Sequence, residues 1–250
     1  MKKIIAMIPA RMASTRYPGK PIIDICGKTM IEHVWQRVKL NKNIDSVYIA
    51  TCDEAIKKAG KKFGADVVMT SDKHVRCTDR ISEGCKNIIK KGYDFDIVIN
   101  VQGDEPLLKP DVLDLLIKPL IKEDSSVANL IEELKDENEI NYYNNVKAIF
   151  DTQYNALYFS RLPIPTGLGN NHYKQLGIYG LTREMAIKYP QMNQTPLEIA
   201  ESDDMLRFVE NGISVKLVIS PYKTIGVDTP EDHKIVEELM EKDEIFKKYK

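Results

Sequence analysis

The pattern of apolar and polar residues changes partway along the chain. In the first part, short and nearly continuous apolar runs, typical of strands buried on both faces, alternate with stretches of helical spacing. Strands are predicted at residues 4–8, 46–51, 65–69 and 95–101, and helices at residues 29–40, 53–63, 79–91 and 110–122. This alternation predicts an α/β fold with a Rossmann-like, doubly wound and mainly parallel sheet.

The second part of the chain is less regular. Strands predicted at residues 127–130, 146–149 and 176–181 are separated by loops rich in Asn, Pro and Gly, and residues 163–171 are predicted to form a mobile loop. Regular alternation resumes with a strand at 215–219 and a helix at 230–241. We expect a single domain in which residues 1–124 and 214–250 form the main unit and residues 125–213 form an inserted, partly antiparallel lobe.

Composition narrows the class of protein. Of 250 residues, 43% are hydrophobic and 29% charged, and the net charge of −1 argues against a broad nucleic-acid-binding face. The cysteines show no CxxC spacing, so we expect free thiols in a reducing compartment. The apolar run near the N-terminus ends at Pro9 and is too short for a signal-peptide core or a membrane span. These features predict a cytoplasmic protein without membrane contact.

The loop after the first predicted strand is rich in groups that bind phosphate. Within residues 9–20 it offers three cations, two hydroxyl groups and a glycine, at Arg11, Ser14, Thr15, Arg16, Gly19 and Lys20. Arginine binds phosphate oxygens with a fork of donors, and ligands of parallel α/β sheets bind beyond the carboxyl ends of strands. A basic surface loop is a common alternative that charge alone does not exclude. The chain has neither GxxxxGK[ST] nor GxGxxG, which argues against P-loop NTPases and NAD-dependent enzymes.

Two aspartates are candidates for a metal site. Asp104 follows the fourth predicted strand, and Asp228 lies between the last strand and the last helix. Carboxylates at the mouth of one sheet, beside a cationic loop, are natural ligands for Mg²⁺. The alternatives are a Gly-Asp turn at Asp104 and a helix N-terminus at Asp228.

Five ordered segments resemble one known family. They read IPARMASTRYPGKP, VQGDEPL, YFSRLPIP, LGIYG and GVDTPED, and they extend over nearly the whole chain. Together they resemble the CMP-KDO synthetases, or 3-deoxy-manno-octulosonate cytidylyltransferases. The resemblance implies a cytidylyltransferase that joins CMP from CTP to a small anionic acceptor, with release of pyrophosphate. It also implies a Rossmann-like fold, a requirement for Mg²⁺ and a homodimer formed through the second half of the chain.

The resemblance also implies roles for individual residues. Those expected at the nucleotide are Pro9, Ala10, Arg11, Ser14, Arg16, Lys20, Thr51, Thr78, Arg80 and Gln102. Those expected at the acceptor are Gln102, Arg161, Gln175, Tyr179 and Asp204. Asp104 and Asp228 are expected to hold the metal, while Lys20, Arg11 and Asp104 are expected to neutralise charge during catalysis.

The chain departs from the family's pattern chiefly on the acceptor side. Gln175 replaces a histidine, and an LEQLR helix has Asp204 for Glu and Met205 for Gln. Elsewhere, Arg76-Cys77 replaces Ser-Gly, and Cys52 replaces Asp. Two interpretations stay open: changes without effect on specificity, or a different acceptor, such as an amino sugar acid, a phosphonate or a phosphate ester. The second predicts that KDO is a poor substrate, because an altered polyol site leaves hydroxyl groups unpaired.

An inactive, nucleotide-binding homologue is a further alternative. The joint presence of Arg11, Lys20, Asp104 and Asp228 argues against it.

Overall fold

A mixed sheet forms the centre of the molecule. The computed structural model describes residues 2–13, 16–122, 125–166 and 171–250. Its strands are β1 (Ile4–Ala10), β2 (Asp24–Ile25), β3 (Lys28–Thr29), β4 (Ser46–Thr51), β5 (Asp66–Met69), β6 (Ile97–Asn100), β7 (Val127–Leu134), β8 (Lys147–Phe150), β9 (Ala156–Ser160), β10 (His172–Thr182) and β11 (Val215–Ile219). The central order is β11-β7-β10-β6-β1-β4-β5. Within this row β10 runs antiparallel to its neighbours, while the other pairings are parallel.

Helices cover both faces of this sheet. They are α1 (Met30–Lys39), α2 (Glu54–Lys62), α3 (Cys77–Lys90), α4 (Val112–Ile121), α5 (Glu137–Asn141), α6 (Arg183–Lys188), α7 (Pro196–Glu201), α8 (Asp204–Glu210) and α9 (Pro230–Glu241). Alternate residues of β1 belong to different cores: Ile8 packs in the cluster that contains α1 and α4, and Met7 in the cluster that contains α3 and α8. This alternation explains why β1 is apolar along its length, and it confirms the doubly wound α/β fold.

Smaller antiparallel elements extend the sheet. The β8–β9 hairpin pairs with β10 through β8, and β2 and β3 form a separate two-stranded sheet. The strands β7 and β10, from the segment expected to form an inserted lobe, lie inside the central row. The predicted mobile loop at 163–171 falls partly on residues 167–170, which lie outside the described residues.

The long predicted elements agree with the structure to within a few residues, and the strands at Ser46–Thr51 and Val215–Ile219 agree at both ends. The short elements α5, α6, α7 and β9 were not predicted, because five or six residues are too few for a clear period. No helix among the described residues is long and apolar enough to span a bilayer.

Candidate active site

A cleft of about 340 Å³ opens at the carboxyl ends of β1 and β6, beside the first turn of α3. This is the position and size expected of a ligand site in a parallel α/β sheet. The predicted site residues that line it are Pro9, Ala10, Arg11, Arg16, Lys20, Arg80, Gln102, Asp104 and Asp228. The structure therefore brings together most of the nucleotide-binding and metal-binding predictions. Ser14 lies outside the described residues.

Lys20 lies between the two candidate metal ligands. Its Nζ donates to Asp104 Oδ2 at 2.6 Å, to Asp228 Oδ1 at 2.9 Å and to the carbonyl oxygen of Val227 at 3.0 Å. Burial opposes the charged form of Lys20, but the charges and hydrogen bonds of both aspartates outweigh it and raise the pKa of Lys20. Arg16 Nη2 lies 3.1 Å from the second oxygen of Asp228. Both aspartates are thus neutralised by cations of the loop that follows β1.

The backbone of the loop after β1 is held by a residue that the sequence analysis missed. Asp53, the second residue after β4, accepts a hydrogen bond from the backbone N–H of Met12 at 2.8 Å. Gly19 closes the loop with a φ of 75°, a left-handed conformation that favours glycine, and its N–H donates to Met12 O at 3.2 Å. Because β1 and β4 are adjacent parallel strands, the placement of Asp53 at the shared edge was a signal that could have identified it.

Three of the residues expected at the nucleotide are buried or partnered within the protein. Thr51 is fully buried, and its hydroxyl oxygen accepts from the N–H of Asp53 at 3.1 Å. Arg80 lines the cleft, but its Nη1 donates to Thr70 Oγ1 at 2.6 Å. Thr78 Oγ1 donates to Asp204 Oδ2 at 2.7 Å. The structure places these side chains behind the cleft wall or in it, where they support the wall.

Of the residues expected at the acceptor, Gln102 lies in the cleft. Its side chain rests directly over Gly177, where a Cβ atom would come within 2.4 Å of Gln102 Cγ. Its Nε2 lies 3.4 Å from Cys77 Sγ. Burial, reinforced by the charge of Asp204, raises the pKa of Cys77 to about 12, so this thiol is neutral. Because Gly177 has no side chain, Gln102 can lie this close to β10.

The other expected acceptor residues are engaged with neighbouring protein groups. Gln175 donates to Asn129 Oδ1 at 2.9 Å, and Tyr179 OH lies 2.7 Å from Thr78 Oγ1. Asp204 Oδ2 accepts both the hydroxyl and the backbone N–H of Thr78. Burial raises the pKa of Asp204 despite these hydrogen bonds. The hydrogen bonds of Asp204 thus connect the start of α8 to the first turn of α3.

Arg161 is held at the C-terminal end of α7. Its Nε donates to Glu201 O at 2.8 Å, its Nη2 to Ser202 O at 3.4 Å, and its guanidinium lies 5.5 Å from the ring centroid of Tyr143. Glu201 in turn accepts from the backbone N–H of Arg161 at 2.9 Å. Glu201 could not be identified from the sequence pattern, because α7 is too short to be predicted.

Met205 has a different position from the one expected. It is 1% exposed and packs in the buried cluster between the sheet and α8. The placement of Met205 among the acceptor-side positions is therefore wrong, because this side chain faces the core. The substitution at position 205 no longer argues for a changed acceptor.

The candidate metal site consists of two carboxylates, Asp104 and Asp228. Among residues 2–13, 16–122, 125–166 and 171–250, no group of three or more His, Cys, Asp and Glu side chains is arranged to hold a metal ion. Asp104 and Asp228, 31% and 43% exposed, nevertheless present carboxylate oxygens to one cleft. Mg²⁺ in nucleotide sites commonly takes only one or two carboxylates, with phosphate oxygens and water as the other ligands. The two aspartates fit that pattern.

Comparisons with known proteins identify the family. The profile of the cytidylyltransferase family matches residues 5–225. A 3-deoxy-manno-octulosonate cytidylyltransferase of Thermodesulfovibrio yellowstonii is 40% identical, covering 94% of this chain and 97% of its own. An 8-amino-3,8-dideoxy-manno-octulosonate cytidylyltransferase of Shewanella pealeana is 41% identical, with coverage of 94% and 97%. A solved CMP:2-keto-3-deoxy-manno-octonic acid synthetase complexed with CTP has a TM-score of 0.88 and 35% identity, covering 96% of this chain and 99% of its own. The chain belongs to the cytidylyltransferase family.

Proposed function

We propose that this cytidylyltransferase transfers CMP from CTP to KDO, or to the closely related 8-amino sugar acid, and releases pyrophosphate. The observation that carries the proposal is the cleft lined by Arg11, in which Lys20 pairs with the carboxylates of Asp104 and Asp228 and Arg16 pairs with Asp228. The relatives named for these two acceptors, both about 40% identical over nearly the full chain, support this acceptor class.

The cations of the loop would bind the triphosphate. Arg11 and Arg16 are exposed at the mouth of the cleft, where their guanidinium groups can fork phosphate oxygens. Lys20 is deeper, with a side chain that is 14% exposed, and supplies a compact charge. Phosphates that attract Arg16 and Lys20 would release Asp104 and Asp228 from their present ion pairs. Nucleotide binding and the exposure of the acidic ligands would therefore be coupled.

We propose Asp104 and Asp228 as the residues that hold Mg²⁺ together with the triphosphate. Bound there, Mg²⁺ would neutralise phosphate charge and lower the pKa of an attacking hydroxyl group. Lys20 contacts both aspartates and would stabilise charge on the departing pyrophosphate.

The chemical step would be in-line attack of an acceptor oxygen on the α-phosphorus of CTP. Such a transfer needs little covalent chemistry from the protein, so catalysis would consist of positioning and charge neutralisation. For KDO the attacking oxygen is the anomeric hydroxyl beside the carboxylate. Arg161 is the candidate partner for that carboxylate, and Gln102 lies in the cleft within reach of nucleotide or acceptor.

We also propose a homodimer in the cytoplasm. Leu157, Leu162 and Ile199, in the second half of the chain, are 55%, 66% and 59% exposed, which supports a self-association surface there. All four cysteines are free thiols, which supports a reducing compartment. Sedimentation equilibrium at micromolar concentration would test the dimer, and a monomer at those concentrations would contradict it.

Pyrophosphate release tests the proposed reaction. Purified protein would be incubated with CTP, Mg²⁺ and either KDO, 8-amino-3,8-dideoxy-manno-octulosonate, a sialic acid or a phosphonate, with reactions lacking acceptor as the control. We expect release with one of the two octulosonates at a kcat/KM of about 10⁴ M⁻¹s⁻¹ or higher. Faster release with the phosphonate or the sialic acid would overturn the acceptor assignment. No release with any acceptor would support the alternative of an inactive homologue.

A further inference from the structure

Arg76 and Arg161 both donate hydrogen bonds to the C-terminal end of α7 and the turn that follows it. Arg161 donates to the carbonyl oxygens of Glu201 and Ser202, as described above. Arg76, the residue before α3, donates from Nη1 to Ser202 Oγ at 2.6 Å and from Nη2 to Glu198 O at 3.2 Å. The last carbonyls of a helix lack intrahelical partners, and cationic side chains stabilise them. One turn therefore connects a residue of the nucleotide cleft to the candidate acceptor residue.

The backbone at this turn is unusual. Ser202 has a φ of 55° and a ψ of 48°, a left-handed conformation that residues other than glycine rarely adopt. A glycine there would relieve the strain but would lack the hydroxyl that accepts from Arg76. The serine thus supplies an oxygen to each arginine, Oγ to Arg76 and the carbonyl to Arg161.

Arg76 contacts both the cleft and this turn. It lines the cleft, and its side chain is 13% exposed. Its Nε is buried without a hydrogen-bond partner in the part of the chain that the structure describes, although carboxylate oxygens of Glu198 and Asp204 lie 3.6 and 3.7 Å away. Glu198 is already paired with Arg207 through two hydrogen bonds of 2.7 and 2.6 Å. The guanidinium of Arg76 is therefore fixed mainly through Ser202 and the end of α7.

A second attachment makes the connection rigid. Asp204, two residues after Ser202, binds the backbone N–H and hydroxyl of Thr78, two residues after Arg76. The turn at 202–204 is thus fastened twice to the start of α3, and Arg161 is fastened to the same turn.

We propose that Arg76 is a positioning residue that fixes Arg161 relative to the nucleotide cleft through Ser202, and so governs binding of the acceptor but not of CTP. This inference rests on the proposed function, because Arg161 is taken as the partner of the acceptor's carboxylate. The hydrogen bonds of Arg76 go to Ser202 and to Glu198 of α7, so we assign it to the acceptor side and leave the phosphates to Arg11, Arg16 and Lys20.

Steady-state kinetics of four variants test the proposal with KDO as the probe: Arg76→Gln, Ser202→Ala, Arg161→Gln and the double variant Arg76→Gln/Arg161→Gln. We expect Arg76→Gln to raise the KM for KDO about tenfold, equivalent to ~1.4 kcal/mol, and to leave the KM for CTP within about twofold. Ser202→Ala should change the KM for KDO in the same direction and to a smaller extent.

The double variant separates positioning from a general structural role. If Arg76 acts through Arg161, replacing Arg76 should add little to the effect of Arg161→Gln on the KM for KDO. Additive effects, or an equal rise in the KM for CTP, would overturn the proposal. A crystal structure of Arg76→Gln gives a test that needs no turnover: Arg161 should leave Ser202 O, and an unchanged Arg161 would equally overturn it. Failure of the proposed function would appear separately, as a wild-type protein without pyrophosphate release.

Discussion

The two sides of the site are built in opposite ways. On the nucleotide side, Arg11, Arg16 and Lys20 line an open cleft, and Arg16 and Lys20 neutralise two aspartates that a ligand could release. On the acceptor side, Gln175, Tyr179 and Asp204 are hydrogen-bonded to neighbouring protein groups, and Arg161 is bound to the end of α7. The first side is equipped to exchange internal ion pairs for a charged ligand, whereas the second holds its geometry through internal contacts.

The two sides should therefore respond differently to mutation. Changes on the nucleotide side alter charge where the triphosphate would bind, and so they should affect turnover. Changes on the acceptor side break contacts between elements, so they should affect the acceptor's KM and the stability of the fold.

The largest effect is expected at the acidic pair. Replacing Asp104 or Asp228 with Asn keeps the shape but removes the negative charge, so turnover should fall by about 10²-fold or more while the fold is retained. Asp66→Asn, at an exposed position on β5, is the matched control. Pyrophosphate release and circular dichroism measure the two outcomes, with activity abolished by EDTA and restored by Mg²⁺. Near-normal rates from both variants at the cleft would contradict the metal assignment.

A second prediction concerns the ion pairs of Lys20 with Asp104 and Asp228. Lys20→Met leaves Asp104 and Asp228 without the ammonium group that contacts both, so we expect a lower melting temperature without ligand. Mg²⁺ alone should then raise the melting temperature of the variant more than that of the wild type, because a cation relieves the repulsion between the aspartates. Lys57→Met, which removes a surface ion pair with Glu54, serves as the control. Equal responses to Mg²⁺ would argue that Lys20 does not occupy the space used by a cation.

The smallest effect is expected on the acceptor side, as a dependence of stability on pH. Burial, reinforced by Asp204, raises the pKa of Asp203 to about 7, whereas an unfolded aspartate has a pKa of about 3.9. Between these values the folded state retains a proton that the unfolded state has released. The free energy of unfolding therefore falls as the pH rises through this range, and no further loss follows above it.

Asp203→Asn removes this titration and keeps an oxygen that can accept from the N–H of Met205, as Asp203 Oδ1 does at 2.9 Å. From pH 5 to pH 8 the loss is about 2–3 kcal/mol, because pH 5 lies roughly two pH units below the folded pKa. The melting temperature of the wild type should therefore fall relative to the variant by about 5–10 °C, since 1 kcal/mol corresponds to about 2–4 °C in a protein of this size. If the melting temperatures of wild type and variant depend on pH in the same way across this range, Asp203 is ionised in the folded state.

The sequence predicted the nucleotide side better than the acceptor side, for a physical reason. Parallel strands carry their loops to one edge, so the residues after β1 and β6 could be placed together from the pattern alone. The acceptor side depends on the short helix α7, on the left-handed Ser202 and on contacts between residues distant in sequence, such as Arg76 and Ser202. These features leave no periodic signal. Met205 was placed wrongly because a motif position does not reveal which face of α8 packs on the core.

Nucleotide selectivity tests most directly the central claim that the cleft serves cytidylyl transfer. The decisive measurement is kcat/KM for CTP and for ATP in the presence of Mg²⁺ and saturating acceptor. A base pocket that satisfies the amino group and ring acceptors of cytosine should favour CTP by about 10²-fold or more. That preference, together with formation of a CMP–acceptor product, is the predicted result. Comparable pyrophosphate release from CTP and ATP would contradict a dedicated cytidylyltransferase.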